Sequence, residues 1–166
     1  MVITSERLML RNFCKNDLSD LHDFCRQEKV MSKLGMPTHH FFHQSDALLK
    51  EWITDNSRFA IVLNDKVIGY IAIYPYDEDD DSSVELAFGI SEEYQNKGYM
   101  FETISVIIEF VFSLKHIKRI YADVMVGNYN CEKLLIKLGF HFGDQFNYFL
   151  PLMNKEYLLN EYYIEK

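Results

Sequence analysis

Val84-Glu85-Leu86-Ala87-Phe88-Gly89-Ile90-Ser91-Glu92-Glu93-Tyr94-Gln95-Asn96-Lys97-Gly98-Tyr99-Met100 is the stretch whose reading decides the fold. Its first seven residues are mostly apolar and read as a strand, and a polar turn with one glycine, Gly98, follows. Over residues 99–114, Phe101, Ile104, Ile107, Ile108, Val111 and Phe112 then recur at helical spacing. A helix start leaves its first backbone N–H groups without intrahelical partners, and its dipole adds partial positive charge there. Such a start, placed by a short turn after a strand, is an anion site that needs no particular side chain, and a phosphate-bearing cofactor fits it. Gly98 alone implies only a tight turn; the strand before it and the helix after it carry the stronger reading.

Working upstream, Phe59-Ala60-Ile61-Val62-Leu63 and Val67-Ile68-Gly69-Tyr70-Ile71-Ala72-Ile73 flank Asn64-Asp65-Lys66, a polar connection suited to a hairpin. The acidic run Asp77-Glu78-Asp79-Asp80-Asp81 reads as a loop, which makes residues 84–90 the third strand of a meander. Leu8-Met9-Leu10-Arg11-Asn12-Phe13 reads as the first strand. Asn16 or Asp17 then caps a helix that carries Leu18, Leu21, Phe24 and Cys25. Residues 35–44, with Gly35, Pro37 and three histidines, read as a loop, and Ser45 as the cap of a second helix carrying Ala47, Leu48, Leu49, Trp52 and Ile53.

Downstream, residues 120–126 are strand-like, and residues 131–138 form a helix that Gly139 ends. Residues 146–152 and 157–164 flank Met153-Asn154-Lys155-Glu156 as a closing hairpin. A helix between the 84–90 and 120–126 strands implies a parallel pair. The order β-α-α-β-β-β-α-β-α-β-β predicts a mixed sheet with helices on both faces, in one domain spanning residues 1–166 without repeat or linker.

The length of 166 residues and 48% hydrophobic content suffice for a continuous core without disulfides or structural metal. Seventeen basic and 25 acidic residues leave a net charge of −8, which disfavours broad nucleic-acid contact and attracts an amine-bearing small molecule or peptide. Cys14, Cys25 and Cys131 are odd in number and widely spaced, so a reducing, cytoplasmic setting is the simplest expectation. Met1-Val2-Ile3-Thr4-Ser5-Glu6 lacks a basic segment followed by an apolar one, and no stretch approaches 18 apolar residues. Neither secretion nor membrane attachment is expected.

The loop resembles the GNAT superfamily motif Gln/Arg-x-x-Gly-x-Gly/Ala, matched by Gln95 and Gly98, with Met100 standing where that family has a small residue. Asn128-Tyr129-Asn130-Cys131-Glu132-Lys133-Leu134-Leu135-Ile136-Lys137-Leu138-Gly139-Phe140 is similar to the family's Asn-x-x-Ser-x-x-x-x-x-Lys-x-Gly-Phe at Asn128, Lys137, Gly139 and Phe140. Glu6-Arg7-Leu8-Met9-Leu10-Arg11 resembles the start of the ribosomal-protein N-terminal and spermidine acetyltransferase subgroup. With the element order, the resemblance covers nearly the whole chain. The P-loop and Gly-x-Gly-x-x-Gly dinucleotide motifs are absent from the sequence.

The resemblance implies an α/β (α+β mixed) GNAT fold: a mostly antiparallel mixed sheet, two splayed parallel strands and helices on both faces. It also implies acetyl-CoA as cosubstrate, no metal, and direct acetyl transfer to a primary amine, either a protein N-terminus or a small polyamine-like acceptor. On that likeness, Phe88 and Ile90 pair with pantetheine, and Gln95, Asn96, Gly98, Met100 and Phe101 form the pyrophosphate loop. Asn128 orients the acetyl donor, caps the following helix, or does both. Glu85 is the candidate base, the alternative being a carboxylate that only binds a cation or faces solvent.

Cys131 stands where related enzymes have serine. It either donates a hydrogen bond or proton to the leaving sulfur or is a small apolar residue at a helix start. The tyrosine that many GNAT enzymes use as acid is replaced by Leu135. Met100 could also shift acyl-donor preference. Together these two departures support a second reading, a CoA-binding sensor or interaction module without catalysis. The acidic 77–81 run is a solvated connection or steers a cation; Phe41, Phe42, Trp52, Tyr74 and Tyr76 line the acceptor site or the core. His39, His40 and His43 lack metal-ligand spacing and read as a substrate-facing or solvated loop. The aromatic final hairpin is compatible with a homodimer.

Overall fold

The computed structural model describes residues 2–77 and 79–166; Met1 and Glu78, the latter within the acidic 77–81 run, lie outside the described residues. In chain order the elements are β1 (Val2–Thr4), β2 (Met9–Asn12), α1 (Leu18–Cys25), α2 (Glu28–Lys33), α3 (Phe42–Asp55), β3 (Arg58–Leu63), β4 (Lys66–Pro75), β5 (Ser83–Ile90), α4 (Tyr99–Ser113), β6 (Arg119–Met125), α5 (Tyr129–Lys137), β7 (His141–Leu150) and β8 (Lys155–Glu165). Short 3₁₀ turns at Lys15–Asp17, Glu92–Tyr94 and Pro151–Met153 supplement them.

The eight strands hydrogen-bond in the order β1-β2-β3-β4-β5-β6-β8-β7. Local chemistry sets the pairings. Asn64 and Asp65 take left-handed angles, φ 48° and 65°, the two positive values that a tight β3–β4 hairpin demands. Between β4 and β5 the Ser91 amide donates to the Ile68 carbonyl and the Tyr76 amide to the Ser83 carbonyl, which makes that pair antiparallel. The helical connection through α4 returns the chain for the parallel β5–β6 pair, Ser83↔Arg119, Val84↔Ile120 and Glu85↔Tyr121. The expected mixed, mostly antiparallel sheet with one parallel pair is therefore present.

Four features differ from the sequence reading. β1 and α2 were not anticipated: three edge residues and a six-residue helix are too short to show periodicity. α3 begins at Phe42, where the Gln44 side-chain oxygen accepts from the His40 and Phe41 amides at 2.8 and 2.9 Å, half of a capping box. Ser45 is consequently inside the helix and caps nothing. Its hydroxyl is buried against His22 Nδ1 and His39 Nδ1, each 2.9 Å away. Asp17 occupies the N-cap position of α1 without a side-chain cap; its carboxylate instead accepts from both Arg11 terminal nitrogens and the Cys14 amide, all at 2.8 Å.

The chain groups into two compact units, Met1–Ala72 with Phe88–Val106, and Ile73–Ala87 with Ile107–Lys166. In the first, Trp52 is buried between Phe13 and Tyr70, with ring centroids 5.1 and 4.8 Å away, and Leu10, Phe24, Ile61 and Ile71 are buried as well. In the second, Ile107, Ile120, Val124, Leu135 and Phe140 are buried, whereas β7 exposes Phe142, Tyr148 and Phe149. No helix among the described residues is long and apolar enough to cross a membrane.

Within the first unit the bare Cα of Gly69 lets β4 and β5 meet at the strand end that leads into the loop. A Cβ on Gly69 would fall against the Gly89 carbonyl oxygen and 2.9 Å from the Ile90 Cα, and both obstacles are backbone. Gly69→Ala is therefore expected to lower unfolding free energy by about 2–4 kcal/mol through overpacking. Urea denaturation measures it, and a change below about 0.5 kcal/mol would contradict the close approach.

Candidate active site

In the first unit, β5 ends at Ile90 and a 3₁₀ turn at Glu92–Tyr94 leads to Gln95, which is extended. The Gln95 side-chain amide donates 3.1 Å to the Ile90 carbonyl, tying the loop back to its strand. Asn96 and Gly98 then adopt φ of 60° and 81°. Asn tolerates the left-handed region and Gly enters it freely, so the chain can reverse within three residues. α4 starts at Tyr99, and the Glu102 amide closes its first turn on the Gly98 carbonyl at 3.0 Å. Tyr99 and Met100 head the helix, where backbone amides have no carbonyl of their own helix to use. The Met100 side chain is buried, so it contributes backbone to the turn while its thioether packs in the interior. Phe101 and Phe88 are half-buried and Ile90 is buried.

The second unit holds a different chemistry. Glu85 on β5 lies opposite Tyr121 on β6. Asp123, two residues further along β6, shares that face, and it lies opposite Glu161 on β8. Three carboxylates thus sit on one sheet face with aromatic company. Tyr76 donates its hydroxyl to Glu161 at 2.7 Å and stacks on Tyr121 with ring centroids 3.7 Å apart. One oxygen of Asp123, Oδ1, is buried without a hydrogen-bond partner. Burial, then the nearby Asp123 and Glu161 charges, push the Glu85 carboxyl up to about 7. Burial, then Glu161, raises Asp123 to about 6. Burial and repulsion both favour the neutral forms of Glu85 and Asp123, and a bound cation would reverse that preference. The Glu161 contact raises the Tyr76 hydroxyl well above its ordinary value, which makes it a poor acid near neutrality.

The other sequence candidates fall elsewhere. Asn128 is the N-cap residue of α5 through its carbonyl, which accepts from the Cys131 and Glu132 amides at 3.0 and 3.2 Å; its side chain makes no cap. Cys131 is half-buried in the first turn of α5, and Leu135 is fully buried, filling core. Trp52 is core, whereas Phe41 and Phe42 are exposed. His39 departs from the expectation of a solvated or substrate-facing loop, because it is buried on Ser45; His40 and His43 are exposed. Among the described residues no group of three or more His, Cys, Asp or Glu is arranged to hold a metal ion. Asp80 folds the acidic run onto itself by accepting from the Ser82 amide and hydroxyl, each at 2.9 Å.

Sequence reasoning missed Asp123, Glu161 and Arg7. The available signal for the two acids was Asp123 inside the apolar run Ile120-Tyr121-Ala122-Asp123-Val124 and Glu161 directly before the aromatic run Tyr162-Tyr163-Ile164.

The site is set on a mixed sheet with one parallel pair, and a helix start follows directly on the turn after one strand of that pair. Comparison with known proteins places the chain more narrowly. Residues 7–141 match the model of the acetyltransferase (GNAT) domain, and the chain belongs to that family. It is 27% identical to the uncharacterized N-acetyltransferase YnaD of Bacillus subtilis (strain 168), over 98% of this chain and 95% of that one. It is 26% identical to the [ribosomal protein uS5]-alanine N-acetyltransferase of Escherichia coli (strain K12), over 83% and 77%.

Among solved structures, a GNAT-family acetyltransferase from Bacillus anthracis superposes with a TM-score of 0.88 at 21% identity, covering 99% and 98% of the two chains. Spermidine N-acetyltransferase from Vibrio cholerae, in complex with CoA and spermine, gives 0.78 at 23% identity, covering 96% and 95%. The protein is an acyl-CoA-dependent N-acetyltransferase with acetyl-CoA as cosubstrate.

The raised Glu85 carboxyl has a consequence for stability. Its folded value near 7 lies above the unfolded value near 4.5, so its contribution is fully present below pH 4.5 and is lost as pH rises through 7. Glu85→Gln is expected to stabilise the protein by about 2 kcal/mol at pH 8 and to change little at pH 4.5. Urea unfolding at both pH values checks this; destabilisation at pH 8 would show that the Glu85 charge is compensated.

Proposed function

We propose that the protein transfers acetyl from acetyl-CoA to a primary amine on an acceptor that carries more than one positive charge, with Glu85 as the base. The observation that supports this most is the carboxylate face of Glu85, Asp123 and Glu161, with Asp123 Oδ1 buried and unpartnered. A buried carboxylate oxygen needs a hydrogen-bond donor, and an ammonium group supplies three. One ammonium can satisfy Asp123 and Glu161 while a second nitrogen meets Glu85. That arrangement favours a polyamine-like molecule over a peptide N-terminus, whose terminal amine is a single charge. The spermine in complex with the Vibrio cholerae relative is a polyamine of this chemical kind.

In the reaction, the acceptor ammonium first loses a proton to Glu85, directly or through a water. The neutral nitrogen attacks the thioester carbon, the carbonyl re-forms from the tetrahedral intermediate, and the C–S bond breaks. The excess proton on the amide nitrogen passes to the departing thiolate, through water, to give the free thiol, and Glu85 releases its proton to solvent. The loop at residues 95–101 holds the diphosphate of the acetyl donor by backbone amides, and the edge of β5 at Phe88 and Ile90 meets pantetheine.

Free-thiol release with an amine panel tests the proposal. Spermidine or spermine should outperform a neutral-bodied monoamine and an alanine-initiated peptide in kcat/KM. The kcat/KM for the polyamine should rise with pH and level off above about pH 7, because Glu85 must be ionised to accept a proton. Glu85→Gln should abolish that limb and lower kcat/KM by about 10²-fold or more, whereas Asp123→Asn should mainly raise acceptor KM. Equal activity of Glu85→Gln, or preference for the peptide, would contradict the proposal.

A further inference from the structure

Arg7 lies far from the loop in sequence and next to it in space, within the first unit. Its Nε donates to Glu102 Oε2 at 2.7 Å, its backbone amide to Glu102 Oε1 at 2.7 Å, and its Nη1 to the Lys97 carbonyl at 3.2 Å. The guanidinium carbon sits 4.5 Å from the Tyr99 ring centroid. Nη2 lies against the bare side of Gly98, 3.3 Å from where a Cβ would stand. Ser5 adds a fourth tie, its hydroxyl donating 2.6 Å to Glu102 Oε1. One planar cation therefore touches three successive residues of the turn, Lys97, Gly98 and Tyr99, together with the only acid in the first turn of α4.

That acid poses a problem for an anion site. Glu102 suits the positive end of a helix, yet a negative charge one turn in from the start opposes a diphosphate bound at the same end. Partial burial also opposes its ionisation, but the hydrogen bonds from Ser5 and Arg7 outweigh it and hold the Glu102 carboxyl below its usual range. Glu102 is thus ionised, and Arg7 cancels its charge locally.

We propose that Arg7 is a positioning residue for acetyl-donor binding, cancelling Glu102 and fixing the Lys97-Gly98-Tyr99 backbone so that the α4 amides hold the diphosphate. The inference rests on reading residues 95–101 as the donor-phosphate loop. The planar fork is essential, because a lysine ammonium offers charge without simultaneous contacts to a carboxylate, a carbonyl and an aromatic face.

The test compares two acetyl donors, acetyl-CoA and S-acetylpantetheine, which lacks the diphosphate, on wild type, Arg7→Ala, Arg7→Lys, and Arg7→Ala combined with Glu102→Gln. Arg7→Ala should raise KM for acetyl-CoA by about tenfold or more while leaving kcat/KM for acetylpantetheine within about twofold and acceptor KM unchanged. Arg7→Lys should recover only a minor part of that loss. The added Glu102→Gln should recover a larger part, because it removes the charge that Arg7 cancels. An unchanged acetyl-CoA KM in Arg7→Ala, or an equal loss with both donors, would overturn the proposal. Equal KM for the two donors in wild type would overturn the loop reading itself, and the role of Arg7 with it.

Discussion

An α-helix cannot satisfy its own first backbone amides, and in this chain those of α4 follow directly on the turn after β5. Only eight residues separate the end of β5 from the start of α4, with the reversal carried by left-handed Asn96 and Gly98. The surrounding features serve this junction. The Gly69–Gly89 approach seats β5 against β4, Gln95 ties the loop to the strand end, and Arg7 with Ser5 clamps the first turn of α4 through Glu102. None of these ties uses the side chain at position 100, which explains how a methionine can occupy it. Its side chain is buried, and the turn uses its backbone.

The second unit solves a different problem. Placing Glu85, Asp123 and Glu161 on one sheet face costs solvation and sets like charges together, a poor choice for stability alone. The cost becomes intelligible if the face receives cations. Glu85, raised to about 7, is then poised to change protonation near neutral pH, while Asp123 and Glu161 add charge that attracts a second ammonium. Tyr76 shapes this face through its hydrogen bond to Glu161 and its stacking on Tyr121, and the Glu161 contact raises its hydroxyl above the ordinary value.

Much of this was legible in the chain. The hairpin around Asn64-Asp65, the parallel pair joined through α4, and the loop at 95–101 all follow from periodicity and turn chemistry acting over short distances. What escaped notice was either too short for periodicity, as with β1 and α2, or depended on contacts between distant residues. Arg7 meets Glu102 across 95 positions, and Asp123 meets Glu161 only through strand register. Ser45 misled because a serine ahead of an apolar run looks like a helix cap, whereas Gln44 secures the start and Ser45 is held by two buried histidines.

The central claim, that backbone amides at the start of α4 hold the acetyl donor's diphosphate, is most directly tested by following the amide ¹H–¹⁵N resonances of the protein during titration with coenzyme A. The account predicts the largest downfield proton shifts at Gly98, Tyr99 and Met100, reproduced by a ligand retaining the diphosphate and absent with pantetheine alone. Binding that leaves these three resonances in place while shifting others would contradict it.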